Sequence, residues 1–212
     1  LEEEVNRQGI QTPAIIVVGK VCALAEEFAW YEKLPLAGYK VLVTRPRELV
    51  STMAEKLRVL GAEVLELPAI RTAPLKDQSK LYHAFEKLDT YQWVAFTSPT
   101  GVKVFFEEMK KTKTDVRKMC NVKIAAIGKG TQKALEERGL FPDLIPQVYD
   151  GETLGRELCQ LCAGGEHILI PRAAMGNQEI IKALSEKSDI VIDDIPTYDT
   201  FYETQEVIDQ KK

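Results

Sequence analysis

From Lys40 onward, short continuous apolar runs alternate with stretches whose apolar residues recur at helical spacing. The predicted strands are Val41–Val43, Val64–Ile70 (interrupted by Pro68), Trp93–Phe96, Ile124–Ile127, Leu144–Val148, 167–170 and 189–195, of which Val41–Val43, Trp93–Phe96 and Ile124–Ile127 are apolar throughout. Runs without polar alternation predict strands buried on both faces, as in a parallel sheet covered by helices. Between them, Val50, Met53, Leu57 and Leu60 mark one helical face, and Gly61 supplies a stop. Further helices are predicted over 81–88, over 101–109 with Val102, Phe105, Phe106 and Met109 on one face, and over 132–138, which Gly139 ends. Two more are predicted over 153–161 and 177–185. Strands and helices in strict alternation give an α/β fold, with parallel sheet and helices on both of its faces.

The first 35 residues read differently. Ala14–Gly19 predicts a short strand, and Val21–Trp30 a helix with Val21, Leu24, Ala25 and Phe28 on one side; Pro35 and Gly38 then mark a boundary. This segment has no counterpart elsewhere, whereas the next one does. Lys40-Val41-Leu42-Val43-Thr44-Arg45 reads like His167-Ile168-Leu169-Ile170-Pro171-Arg172, and Val64-Leu65-Glu66 like Val191-Ile192-Asp193 at the same separation. Two similar lobes are therefore expected. The second copy is followed by only a few residues before Lys212, so counterparts of Trp93–Ser98 and Ile124–Gly128 do not recur, and the first lobe is expected to be incomplete.

Composition narrows the function classes. A chain of 212 residues holds one large domain or two small ones. Its net charge of −4 argues against a nucleic-acid binder, which usually carries a basic face. No apolar run approaches the roughly 20 residues of a membrane span. The acidic start Leu1-Glu2-Glu3-Glu4 is unlike a secretory signal, which points to the cytoplasm. Cys159 and Cys162 form a C-x-x-C pair, but a structural zinc site needs a second ligand pair, and only His83 and His167 remain. The four cysteines, Cys22, Cys120, Cys159 and Cys162, are read as reduced, partly buried thiols, and no metal is expected.

Candidate chemistry lies at strand ends. Thr44-Arg45-Pro46, Thr97-Ser98-Pro99-Thr100-Gly101 and Gly128-Lys129-Gly130-Thr131 each join an apolar strand to a helix. Ligands of open α/β sheets sit beyond the carboxyl ends of the strands, where helix N-termini offer unpaired N–H groups and a partial positive charge. Several such loops suit a ligand with several anionic groups, although a Ser or Thr there can equally be a plain cap. Gly128-x-Gly130 is a weak dinucleotide fingerprint, because Lys133 stands at the third glycine. Arg45 and Arg172 occupy equivalent repeat positions, where each is either an anion partner or a surface ion pair. Tyr198, in Pro196-Thr197-Tyr198-Asp199-Thr200, reads as a packing residue or as a weak acid for a leaving group. A non-catalytic module binding a phosphate, nucleotide or other polyanion would use the same loops.

Taken together, Val41–Pro46, Phe96–Val102, Ala126–Thr131 and the Tyr198 segment resemble uroporphyrinogen-III synthase, from about Leu36 onward. Thr12–Val21 with Ala29–Glu32 resembles the end of a uroporphyrinogen-III C-methyltransferase, a partner fused to the synthase in some bacteria. The resemblance implies two α/β lobes, the first one discontinuous. Residues 1–35 would be a methyltransferase tail, 36–70 the start of lobe 1, 71–197 lobe 2, and 198–212 a return linker. It implies closure of hydroxymethylbilane, a linear tetrapyrrole, to uroporphyrinogen III with inversion of the last ring. Loss of water gives an azafulvene cation and a spiro intermediate permits the inversion, with no metal or organic cofactor. Tyr198 would assist departure of the hydroxyl, and Ser98, Thr100, Gly101, Gly128, Lys129, Gly130 and Thr131 would hold carboxylates, with Thr44, Arg45 and Arg172 adding contacts. Half a lobe is expected to impair the reaction, and self-association would be one way to cover its apolar faces.

Overall fold

The continuous apolar runs pair as parallel strands, and the helical stretches cover them. The structure is a computed structural model that describes residues 2–15, 17–44, 47–67, 69–187 and 189–203, with 47–51 described by backbone alone. Arg45, Pro46, Pro68, the Val50 side chain and the last nine residues of the expected return linker lie outside the described residues. The elements in chain order are α1 (Glu2–Arg7), α2 (Ala25–Phe28), β1 (Lys40–Val43), α3 (Arg47–Val59), β2 (Glu63–Glu66), β3 (Ile70–Pro74) and α4 (Ser79–Glu86). They continue with β4 (Trp93–Phe96), α5 (Pro99–Lys111), β5 (Lys123–Ala126), α6 (Lys129–Glu136), α7 (Gly151–Leu161), β6 (His167–Ala173), α8 (Glu179–Ser185) and β7 (Val191–Tyr202). Two compact units result, Leu1–Pro68 and the chain from Ala69 onward. No helix among the described residues is long and apolar enough to cross a membrane.

The second unit is a doubly wound sheet in the order β3-β7-β6-β4-β5, parallel except for β3, which runs antiparallel to β7. Strand alternation divides the apolar side chains between two faces. Val94, Phe96, Ile124, Ala126, Leu169 and Ile195 join α4, α5 and α6 on one face. Trp93, Ala95, Ala125, Ile168 and Ile170 join α7 and α8 on the other. On the first face Phe105 meets Phe85 and Phe96 edge-on, with centroids 5.0 and 5.2 Å apart, each pair worth about 0.5–1.5 kcal/mol beyond its burial. On the second, α7 and α8 approach so closely that a Cβ on Gly155 would lie 2.6 Å from the Ala183 Cβ.

The first unit holds the other copy of the repeat. β1 and β2 pair in parallel, and Val43 and Ala54 are buried with Val41, Leu57 and Val64 around them. Each copy is a strand-helix-strand unit, but the registers differ by one residue: Lys40 pairs with Glu63, whereas His167 pairs with Val191.

Several sequence expectations need correction. Ala14–Gly19 forms no strand among its described residues, and Ile15 and Val18 are exposed, because the run finds no partner strand there. The helix expected over Val21–Trp30 is a 3-10 turn (Lys20–Leu24) followed by the single turn α2. Its apolar residues bury nothing, and a short helix without packing gains little. Leu144–Val148 reduces to one bridge, Ala125 with Leu144, since Pro146 lacks the N–H that a ladder needs. The run Val64–Ile70 divides between β2 and β3, in two different sheets. The last strand continues well past residue 195, so Tyr198 lies within β7. Cys162 is buried and Cys159 partly so, but Cys22 and Cys120 are exposed.

Candidate functional site

The order of the sheet locates a crevice. The chain moves from β4 outward to β5, then returns across β4 to lay β6 on its other side. β4 and β6 are therefore a topological switch point, where ligands of open α/β sheets bind. They pair only through Trp93 with Ile168 and Val94 with Leu169, and beyond those residues their carboxyl ends part. A cavity of about 350 Å³ opens there, with Thr97, Tyr149, Asp150, Arg172, Glu179 and Tyr198 in its wall.

Ser98 and Tyr198 meet at this crevice. Ser98 has extended backbone geometry and caps α5, its Oγ accepting the Gly101 N–H at 2.9 Å, and Pro99 suits the first helical position. The same Oγ lies 2.7 Å from the Tyr198 hydroxyl, and either oxygen can donate. When Ser98 donates, the phenolic O–H is left to point at a ligand. Gly101 permits the approach: a Cβ there would lie 3.2 Å from the Pro171 carbonyl oxygen and from Ser98 Oγ, and 3.8 Å from the Tyr198 ring.

The α6 N-terminus adjoins that of α5, since a Cβ on Gly130 would touch Pro99 at 3.5 Å. Its cap, Gly128, contributes no side-chain hydrogen bond, which suits the first-turn N–H groups to an external anion. Lys129 and Gly130 are exposed, whereas Thr131 is buried. Gly128 is packed under Tyr149, and a Cβ there would sit 2.9 Å from Tyr149 Cγ. Tyr149 is 53% exposed and forms part of the cavity wall.

Arg172 is neither an open anion partner nor a surface ion pair. It is 6% exposed and bidentate to Asp194, Nε to Oδ1 at 2.6 Å and Nη2 to Oδ2 at 2.7 Å. Its Nη1 donates to the carbonyls of Ala173 and Gly176, at 3.2 Å each. The Asp194 hydrogen bonds raise its pKa against the opposing effect of burial, so it stays charged and locally neutralised. The other charged residues in the wall, Asp150 and Glu179, are acidic. Asp150 caps α7 through Thr153 N–H at 2.7 Å, which holds its carboxyl below the ordinary range, and Glu179 opens α8.

Of the residues singled out from the sequence, Ser98, Gly101, Gly128, Gly130, Arg172 and Tyr198 gather around this crevice. Thr100 lies in the first turn of α5, and Lys129 and Thr131 in that of α6. Thr44 is exposed in the other unit, and Arg45 lies outside the described residues. Sequence reasoning missed Tyr149, Asp150, Glu179 and Asp194. None carried a signal in the repeat, whose acidic match to Glu66 is Asp193, the neighbour of Asp194.

The family model for uroporphyrinogen-III synthase HemD matches residues 51–212. The porphyrin biosynthesis protein HemD of Ruminiclostridium josui is 42% identical over 95% of this chain and 40% of its own length. A uroporphyrinogen-III C-methyltransferase of Bacillus subtilis is 31% identical over 68% of this chain and 29% of its own length. The chain thus spans less than half the length of either relative. In fold it is similar to a mutant uroporphyrinogen III synthase from Thermus thermophilus, with a TM-score of 0.58 and 19% identity over 78% of this chain and 64% of that one.

Proposed function

The chain belongs to the uroporphyrinogen-III synthase family, and on that premise we propose that its crevice binds hydroxymethylbilane and directs closure to uroporphyrinogen III. The observation that carries this reading is the Tyr198 hydroxyl held on Ser98 Oγ at the switch point, beside the uncapped start of α6. Acetate and propionate arms would lie on the N-termini of α5 and α6, with Gly128, Lys129, Gly130 and Thr131 supplying backbone donors and Gly101, whose N–H is taken by Ser98, giving room for close approach. Tyr198 would hydrogen-bond the departing hydroxyl. The acidic wall of Asp150 and Glu179 suits pyrrole N–H donors and an azafulvene cation. A phosphate or nucleotide would find the same α6 N–H groups, but it would not supply the N–H donors and cationic charge that Asp150 and Glu179 suit. Enforcing one geometry matters more here than strong acid or base, since the free substrate closes unaided to the uninverted isomer.

Residues 1–35 are, in the same proposal, the tail of a methyltransferase domain, and the B. subtilis relative supports this by its name. The β1-α3-β2 unit would begin lobe 1, since it repeats β6-α8-β7 in sequence and in strand order. The second unit would be lobe 2, and the carboxyl-terminal residues the return linker. The biosynthetic branch served, siroheme or cobalamin, would follow from the methyltransferase.

An isomer-resolved assay tests the proposal. Fresh hydroxymethylbilane is added, the products are oxidised, and uroporphyrins I and III are separated. The chain should form isomer III above the protein-free blank, and Tyr198→Phe should reduce that rate by about 100-fold, as for loss of a proton donor. Isomer I alone from the unmodified chain would sink the proposed activity, and an unchanged Tyr198→Phe rate would remove Tyr198 from it.

A further inference from the structure

The pairing of β6 with β7 slips by one residue beside Tyr198. Pro171 pairs with Ile195 and Arg172 with Pro196, but Ala173 pairs with Tyr198, so Thr197 is extra. Bulges are rare between parallel strands, and where they occur near sites they re-aim a side chain. Here the consequence follows from strand parity. Ile195 packs on the α4–α6 face, so in an unbroken strand Thr197 would share that face and Tyr198 would take the other. The extra residue returns Tyr198 to the α5 side, where Ser98 and Gly101 stand.

Gln78, which immediately precedes α4, holds the bulge. Its Nε2 donates to the Thr197 carbonyl at 2.7 Å and to the Leu75 carbonyl at 3.1 Å. The Thr197 carbonyl also accepts the Leu75 N–H at 3.0 Å, which fills both of its lone pairs. Thr197 is fully buried, and its hydroxyl donates to the Arg172 carbonyl at 3.3 Å, fixing the bulge from the β6 side. Gln78 is itself 6% exposed, and its Oε1 has no hydrogen-bond partner among the described residues. A buried unpaired acceptor is a net loss to stability, and an apolar residue of similar shape would avoid it. What Gln78 supplies in return is a donor to the carbonyl of the bulged residue that precedes Tyr198.

We propose that Gln78 is a positioning residue, clamping the Thr197 bulge so that the Tyr198 hydroxyl is held on Ser98 in the crevice. Its catalytic meaning rests on the synthase reading; the clamp itself does not. The test uses the full chain with tyrosine labelled at ring carbon ζ, the Tyr198 resonance being assigned by its loss in Tyr198→Phe. Ser98→Ala gives the shift expected when the hydroxyl loses its partner. Gln78→Met should move the Tyr198 resonance in the same direction by at least about half as much, because the aim depends on the bulge. A Tyr198 resonance unmoved in Gln78→Met, with Ser98→Ala displaced, overturns the proposal. If Gln78→Met does not fold, Thr197→Val, which keeps the shape and removes the donor to Arg172, is read by the same criterion. In the isomer assay, well below the melting temperature, Gln78→Met should lower kcat about tenfold with KM within about twofold, as misorientation does. A merely structural role would leave kcat unchanged. Absence of isomer III from the unmodified chain would count against the synthase reading, while the resonance would still decide the clamp.

Discussion

Ser98 carries two structural tasks on one oxygen. It accepts the Gly101 N–H as the cap of α5 and it partners the largely buried Tyr198 hydroxyl. Ser98→Ala removes both, and loss of a cap alone typically costs about 1 kcal/mol. The stranded phenol adds to this, so urea unfolding should show a loss of about 1–3 kcal/mol. Ser98→Thr keeps the oxygen and should stay within about 0.5 kcal/mol of the unmodified chain. Equal stability of all three proteins would show that neither bond matters. Ser98 and Gly128 could be read from the sequence because each sits in a short string between an apolar strand and a helix start, whereas Tyr198, inside β7, took its role from the family resemblance. Gln78 and Thr197 could not. A bulge is a relation between two strands, and nothing in Pro196-Thr197-Tyr198 alone reveals that Ala173 will skip a partner. The state of Arg172 was also hidden, because its ion pair depends on the side of β7 from which Asp194 projects.

At the scale of elements, the sequence was clearest where burial is greatest. Trp93–Phe96 is apolar throughout because helices cover both of its faces, and its bounds match the observed strand. Continuous burial erases ambiguity about faces, and the flanking loops set the ends. Expectations failed where an element had no partner to pack on, as with Ala14–Gly19 and Val21–Trp30, or where a proline interrupts the ladder, as at Pro146. The contact between α7 and α8 shows how tightly the covering helices are specified. A methyl on Gly155 would press on Ala183 Cβ at 2.6 Å and on the Ile180 carbonyl oxygen at 3.0 Å, neither of which can swing aside. Gly155→Ala should therefore destabilise the chain by about 1–3 kcal/mol, the usual penalty of overpacking. Combining it with Ala183→Gly should recover part of the loss in denaturant titration. If Gly155→Ala were neutral or stabilising, the interhelical packing described here would be wrong.

At the scale of the molecule, the two units differ in how much core they own. The second buries two extensive apolar clusters on opposite faces of one sheet. Among the described residues the first buries Val43, Ala54 and Ala62, and leaves Leu42 and Leu65 on the opposite face 53% and 54% exposed. Those two leucines are register partners, so they form one continuous exposed strip along the β1–β2 pair. A small unit with one covered face has little apolar burial to set against its chain entropy. Local stability should follow that division, since backbone groups open in cooperative units whose free energies range from near zero to the global value. Native-state hydrogen exchange should find the amides of β4 and β6 the best protected. Those of β1 and β2 should exchange at least about 100-fold faster, a gap of roughly 3 kcal/mol in opening free energy. β1 and the start of β6 are alike in character, a basic or polar residue followed by three branched apolar ones. Protection that tracked the local sequence would be similar in both, whereas protection that tracks the layers above and below each strand would differ. Equal protection would mean that the exposed leucine strip is covered in solution.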